Sequence, residues 1–384
     1  MSKANHSTRQ ILAEHSTAKF QVFTHYLGVY LNILGKVPAM RKVHIYDLMC
    51  GEGEYADGQL GSALEGPKRV LRYFREYPSE TLKISYVLND AGMSDVEKGK
   101  PKIDRVRERV EQIPFDSVAN GLERMTTYYY ALPCTEALSR AIDRVQRLSP
   151  FQEKALLFID PWGYKDISIE DLRTALAGGH SEVLLFLPTE MMYRFARKAY
   201  HEDFEGGKAL QQWLKDLFPE ELPRFASVHD FINQFRHRLE NRLEARYSSR
   251  FTLETTQHNT YSLFYFTPSR KGLQAMLETQ WSQDPSAGTG HRIEQTFTLF
   301  KPGVLANYPA RLETFLANAD GRSNEEILEF GLYEGFLPKH TNEILESLAS
   351  QGRLNIESLD GQTVRKNAFY LNNQARTIRF SLIS

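Results

Sequence analysis

Cysteine is nearly absent from this chain, and so are long apolar runs and an excess of either charge. The 384 residues hold two cysteines, Cys50 and Cys134. That is too few for a disulfide framework or a cysteine-based zinc site, so a reducing compartment, the cytoplasm, is expected. The longest clean apolar run, Val183-Leu184-Leu185-Phe186-Leu187, falls far short of the ~20 residues that span a bilayer. Met1 to Gln10 is polar and offers no apolar core for a secretory signal, so no membrane association is expected. Lys and Arg number 47 against 48 Asp and Glu, a net charge of -1. A uniformly basic nucleic-acid coat is thereby excluded, and any such contact must come from local patches. No P-loop, metal-carboxylate cluster or His-x-His pair occurs, and His180, His201, His229 and His237 show no ligand spacing. A nucleoside-phosphate hydrolase is therefore disfavoured and no metal is expected.

What remains is the balance of a globular protein, 41% hydrophobic and 25% charged, in a length that calls for two or three domains. Short β-type runs alternate with helical patterns through the first half. Strands are predicted at 43–48, 82–88, 125–130, 155–159 and 182–187, with helices at 67–76, 103–113 and 136–148 between them. Such alternation argues for βαβ units and a mainly parallel sheet. Before them, Phe20, Phe23, Tyr26, Leu27, Tyr30, Leu31 and Leu34 recur at helical spacing, which predicts a helix packed on that sheet. A helical insertion is expected over about 193–250, then strands at 251–253 and 261–267 and a helix to Trp281. The loop Asp284-Pro285-Ser286-Ala287-Gly288-Thr289-Gly290 opens an expected linker, 284–299, closing an α/β domain of residues 1–283.

The last segment, 300–384, has a different rhythm. Three helices are predicted, the second capped by Ser323 with Glu326 three residues on, as in a capping box. Strands at 354–357 and 368–371 bracket Asp360-Gly361 as a hairpin. Three helices and a hairpin make a winged helix. Within it Lys339, Arg365 and Lys366 are the candidate phosphate contacts, with Arg270-Lys271 before an earlier helix. The Arg238, Arg242 and Arg246 stripe is interrupted by Glu240 and Glu244 and reads as a solvated, ion-paired face.

Two motifs carry chemistry. In Ile45-Tyr46-Asp47-Leu48-Met49-Cys50-Gly51-Glu52-Gly53 an acid lies inside a strand and two glycines follow at a tight turn. The third glycine of the dinucleotide pattern is missing. Asp-x-x-x-Gly-x-Gly suits S-adenosylmethionine instead, with Asp47, Gly51 and Gly53 near its amino-acid part and Asp90, past the second strand, on its ribose hydroxyls. The second motif is Phe158-Ile159-Asp160-Pro161-Trp162-Gly163. An apolar strand delivers Asp160 to the edge where open α/β sheets bind ligands. Asp160 would orient an attacking amine, the Pro161 carbonyl, expected free, would be a second acceptor, and Trp162 would stack a planar base. At the chain's start His15 and Lys19 lie one helical turn apart, where they could meet an anionic group such as a phosphate or carboxylate; as candidate cofactor contacts they rest on the family resemblance that follows. Cys50 reads as a small buried filler.

These segments resemble the three-Cys-motif partner protein (TcmP) family. The resemblance rests on His15-Ser16-Thr17-Ala18-Lys19 with Tyr26-Leu27, on Tyr46-Asp47 to Gly53-Glu54-Tyr55, on Gly61-Ser62-Ala63-Leu64, and on Phe158 to Gly163. It covers roughly residues 13 to 190, with a weaker match over Tyr261 to Trp281 and a winged-helix tail like the one the family carries. It implies a Rossmann-like methyltransferase fold and a nucleic-acid modification, repair or defence role in bacteria or their phages. It also implies a separate partner that carries the three cysteines and resembles radical S-adenosylmethionine enzymes. Two departures stand out. Relatives tend to show Asp-Gly-Phe-Ala-Gly-x-Gly and a second-strand Glu, here Asp90, and their fifth strand ends Asn-Phe where this one ends Leu187-Pro188-Thr189. Two functions follow as expectations: a methyltransferase acting on an amine of a base, or a non-catalytic nucleic-acid-binding adaptor for the radical-enzyme-like partner.

Overall fold

The computed structural model describes residues 14–161, 163–202, 205–255, 259–285, 288–292, 304–359, 361, 363–365, 368–372 and 376–383. The chain forms two compact units, Met1–Ala275 with Gly290–Glu294, and Met276–Thr289 with Gln295–Ser384.

In the first unit helices and strands alternate as α1 (Glu14–Gly35), β1 (Lys42–Asp47), α2 (Ser62–Glu76), β2 (Lys83–Asn89), α3 (Lys102–Val110), α4 (Gly121–Arg124) and β3 (Met125–Tyr130). Then come α5 (Cys134–Val145), β4 (Glu153–Ile159), α6 (Ile169–Leu176) and β5 (Ser181–Leu187). Three helices follow β5, α7 (Thr189–His201), α8 (Lys208–Leu217) and α9 (Val228–Arg242), before β6 (Tyr247–Glu254), β7 (Thr260–Thr267), α10 (Arg270–Gln283), which belongs to the second unit from Met276 on, and β8 (Gly290–Arg292). The last of these lies within the stretch expected as a linker.

The eight strands make one sheet in the order β3-β2-β1-β4-β5-β7-β6-β8. Neighbours from β3 to β5 run parallel, while β7 is antiparallel to both β5 and β6. This is the Rossmann-like, methyltransferase-type sheet the sequence leads one to expect, with the helices α7–α9 inserted after β5. The apolar run of β5 has its reason here. Covered on both faces, all seven of its residues are buried.

Strand residues alternate between the two faces. Tyr46, Leu157, Leu185 and Phe264 join a core with α5 to α9. On the opposite face Phe23 of α1 stacks on Phe158 at 4.4 Å, so α1 lies on the sheet as its apolar periodicity predicts. Asp47 and Asp160 have the parity of Phe158 and therefore belong to the α1 face.

The second unit carries α11 (Val304–Ala317), α12 (Asn324–Tyr333) and α13 (Pro338–Ser350) with a small sheet of β9 (Arg322–Ser323), β10 (Leu354–Ser358) and β11 (Ile378–Leu382), in the order β10-β11-β9. The expected Ser323–Glu326 capping box starts α12. Trp281 packs against His340 at 4.1 Å and donates its indole N–H to the Gly335 carbonyl at 3.0 Å. Tyr308 stacks on Phe336 at 3.8 Å. The winged-helix arrangement holds, with one correction. β10 pairs with Ile378–Leu382 and not with 368–371. Phe369 and Leu371 are buried, so their apolar character serves the core, but their backbone joins no strand. Asp360 of the predicted turn lies outside the described residues.

Candidate active site at the carboxyl edge of the sheet

The parallel register brings three acids to one level. Asp47 pairs in the ladder with Leu88 of β2 and Phe158 of β4. Asp90 and Asp160 each follow those partners by two residues, so all three carboxylates gather where β1, β2 and β4 end. This is the carboxyl edge, the side on which open α/β sheets bind ligands.

Asp47 is the most strained of them electrostatically. It is fully buried, and neither of its oxygens has a hydrogen-bond partner among the described residues. The hydroxyls of Ser62 and Tyr86 are likewise buried and unpartnered. Burial pushes the Asp47 carboxyl up to about 7, and the charges of Asp160 and Asp90 add to the rise. The Ser62 hydroxyl and the Lys19 charge, close but in no bonding geometry, pull the other way. Buried polar groups in native proteins are nearly always paired. A cluster of unpaired ones at a ligand-binding edge has the chemistry of a site that expects donors from outside the chain.

The glycine turn is shaped to let such a ligand close. Gly51 and Gly53 have φ of +70° and +73°, where a residue with a Cβ is strained. The turn is tied down from both sides. Asp90 accepts from the Gly51 N–H at 3.0 Å and the Gly92 N–H at 2.7 Å, which leaves each oxygen a further lone pair. Glu52, buried between the glycines, accepts from Arg105 at 2.5 Å, from the Ser94 hydroxyl at 2.9 Å and from the Asp95 N–H at 2.6 Å. Asn89 stitches three strand ends together, donating to the carbonyls of Leu48 at 2.9 Å and Leu132 at 3.0 Å and accepting from the Leu132 N–H at 2.9 Å. Glu52, Arg105 and Asn89 are positioning residues that sequence reasoning did not single out. The one available signal, a charged residue between two glycines, concerns Glu52 alone.

Lys19 reaches this edge from α1. It is 4% exposed, and its Nζ lies 2.5 Å from Asp160 Oδ2 and 4.2 Å from the centre of the Phe186 ring. The anion it meets is thus a carboxylate of its own chain. Pro161 is buried, and its carbonyl accepts from the Gly163 N–H at 2.7 Å. This corrects the expectation of a free carbonyl, because a tight turn at Gly163 (φ +107°) folds that N–H back onto it. The acceptor retains only its second lone pair. Trp162 and the side chain of His15 lie outside the described residues.

Cys50, inside the turn, is 2% exposed, and burial followed by the Asp47 and Asp90 charges holds its thiol well above the usual range. A thiol kept protonated is no nucleophile. Arg270 and Lys271 follow β7 at its Thr267 end, which pairs near the amino end of β5, so they stand at the opposite edge from the three acids. In the second unit Lys339 is exposed at the start of α13 and Arg365 is exposed beyond β10, while Lys366 lies outside the described residues. Among the described residues no group of three or more His, Cys, Asp or Glu is placed to hold a metal, and no helix is long and apolar enough to cross a membrane.

Residues 292–361 match the family profile of the GMT-like wHTH (winged helix-turn-helix) domain. No curated protein matches the chain. Among solved structures, a spermidine synthase in complex with the transition-state analogue AdoDATO aligns at 10% identity and a TM-score of 0.28, over 68% of this chain and 62% of that one. A putative O-methyltransferase from Klebsiella pneumoniae aligns at 14% identity and a TM-score of 0.28, over 64% of this chain and 80% of that one. The chain thus joins a mainly parallel α/β sheet to a tail similar to the GMT-like winged helix.

Proposed function

We propose that the first unit binds S-adenosylmethionine at the carboxyl edge of its sheet and transfers a methyl group to an amine of a nucleic-acid base, in a modification, repair or defence setting. The observation that carries the reading is Asp47, a buried carboxyl with both oxygens unpartnered among the described residues, next to a turn of two glycines in positive φ and to Asp90. Asp47 would take the polar amino-acid part of the cofactor, with His15 a further candidate for its carboxylate. The backbone at Gly51 and Gly53 would admit it closely, and the free lone pairs of Asp90 would accept from its ribose hydroxyls. When bound, the cofactor supplies an electrophilic methyl carbon.

The rest is positioning by the chain's own groups, the largest contribution available to a transfer of this kind. Lys19 fixes the Asp160 carboxylate through Oδ2, which leaves Oδ1 to accept from the target NH2. Trp162 would stack the base, and a base within a duplex must first be flipped out. Lys339, Arg365 and Lys366 of the winged helix would hold phosphates, and Arg270 and Lys271 are a further candidate contact.

A second reading draws on the same edge. Asp160 is already engaged by Lys19 and the Pro161 carbonyl by Gly163, which favours a non-catalytic adaptor that keeps the fold and escorts a radical-enzyme-like three-cysteine partner. Incubation with S-adenosylmethionine labelled in its methyl group and with DNA or RNA separates the two. Base-retained label that disappears in Asp160→Ala supports transfer. Intact cofactor binding without label on either nucleic acid would make the adaptor the function.

A further inference from the structure

Behind the proposed cofactor edge, on the other face of the same strands, lies a second concavity that the transfer reading does not use. On this face Ala137, Leu138, Ala141, Ile142 and Val145 of α5 share a core with Tyr46 and Leu48 of the β1 side and Leu157 and Ile159 of β4. Past it β2 and β3 are open, with Tyr128 and Tyr130 40% and 37% exposed. The result is a pocket of about 340 Å³ floored by β1, β2 and β3 and walled by α5. Its size falls in the range of small-molecule sites.

Strand register sorts its lining into two ends. Lys42 pairs with Lys83, Tyr46 with Val87, and Val87 with Tyr128. Tyr46, Tyr128 and Tyr130 thus stand toward the carboxyl side, and Lys42 stands at the amino side. Helical spacing adds Arg140 and Arg144 of α5 to the wall. The acids nearby do not balance these cations. Glu153 is committed to His44 at 3.0 Å, to Arg144 at 3.2 Å and to the Ser149 N–H at 3.0 Å. Glu136 serves Arg140 at 2.6 Å. Lys42 has no ion pair among the described residues, and burial with the neighbouring Arg144 and Lys83 charges holds its ammonium below the usual range against the opposing pull of the Glu153 charge. An anion placed there would relieve that repulsion, and the tyrosines offer faces on which a planar ring stacks. Arginine suits phosphate in particular, through its planar fork of donors.

From the pairing of a tyrosine-lined end with an excess-cation end in one pocket, we infer that the α5 face is a binding site for a nucleoside monophosphate, either free or as the end nucleotide of a strand. The site is independent of methyl transfer. Tyr46 and Asp47 are successive residues of β1 and point to opposite faces, so the two sites stand back to back across one strand.

The test is calorimetric titration of the full chain with adenosine 5′-monophosphate, adenosine, inorganic phosphate and a 5′-phosphorylated tetranucleotide. The mononucleotide should bind about tenfold more tightly than adenosine or phosphate alone, since both ends of the pocket are then filled. Lys42→Ala with Arg140→Ala, and separately Tyr128→Ala, should each weaken it by about tenfold, while Asp90→Ala leaves it unchanged. Tighter binding of the tetranucleotide identifies a strand as the source, and equal binding identifies the free nucleotide. Arg140→Glu, on an exposed helix surface, reads the same loss should Tyr128→Ala fail to fold. No binding of mononucleotide or tetranucleotide at millimolar concentration overturns the inference. So does binding unaltered by the pocket variants, or binding abolished by Asp90→Ala.

Discussion

Lys19 Nζ stands 2.5 Å from Asp160 Oδ2, clamping the first helix to the end of the fourth strand across 141 positions of chain. The side chains are 5% and 16% exposed, so the pair is largely withdrawn from water. It ties the segment His15-Ser16-Thr17-Ala18-Lys19 to the Asp160-Pro161 turn, two motifs that the sequence presents as unrelated.

Lys19→Met leaves the Asp160 carboxylate without its cation. Breaking one side of a buried pair costs about 3 kcal/mol or more, read as a lower denaturation midpoint at unchanged slope. Adding Asp160→Asn removes the orphaned charge and should restore most of that stability but no methyl transfer. Equal stability of Lys19→Met and wild type would mean that the pair holds nothing together.

Asp47 makes stability depend on pH in a direction fixed by its shift. Its carboxyl is raised from 3.8 to about 7 in the folded chain, so the folded state holds a proton that the unfolded state releases between those values. The contribution is fully present below pH about 4 and is lost as pH rises through about 7. Its size is on the order of 4 kcal/mol. Asp47→Asn should therefore gain stability over wild type at pH 8 and little at pH 4, while weakening S-adenosylmethionine binding. Denaturant titrations of both proteins at the two pH values check this, and parallel pH profiles would contradict it.

Gly53→Ala should be costly in two ways. Its φ of +73° strains a residue with a Cβ by roughly 1–2 kcal/mol. The new Cβ would also stand 3.1 Å from Val106 Cγ2, pushing the turn against α3. Lower thermal stability together with weakened S-adenosylhomocysteine binding is expected. A neutral effect on both would remove the turn from the site.

Both thiols should resist labelling while the chain is folded. Burial raises Cys50 well above the usual range and Cys134 to about 11. Titration with a disulfide reagent at pH 8 should find almost no reactive thiol in buffer and both in urea. Fast labelling of Cys50 in buffer would show that the turn opens.

The strands and helices around the site were legible because a buried parallel sheet demands apolar runs and its crossover helices demand a stripe. Asp47 and Asp160 were found for the same reason, as acids that interrupt such runs at their ends. What tertiary pairing decides was not legible. Helical spacing relates Lys19 to His15, but nothing local relates it to Asp160. The Pro161 carbonyl was assigned to a substrate on the strength of proline's missing N–H, whereas the turn at Gly163 brings back an N–H two residues on. In the wing, Phe369 and Leu371 look like strand residues because they are buried, while the ladder forms with the later alternating run Ile378–Leu382. Asn89, Glu52 and Arg105 are not legible because their partners, Leu48 and Leu132 for Asn89 and Glu52 and Arg105 for each other, lie about 40 or more positions away in sequence.

The central claim is that Asp47, the glycine turn and Asp90 form a cofactor pocket. Calorimetric titration of S-adenosylmethionine and S-adenosylhomocysteine into wild type, Asp47→Ala and Asp90→Ala tests it most directly. The account predicts affinity of about micromolar for wild type and a loss of about tenfold or more in each variant. Absence of binding at millimolar ligand, or equal affinity in all three proteins, would contradict it.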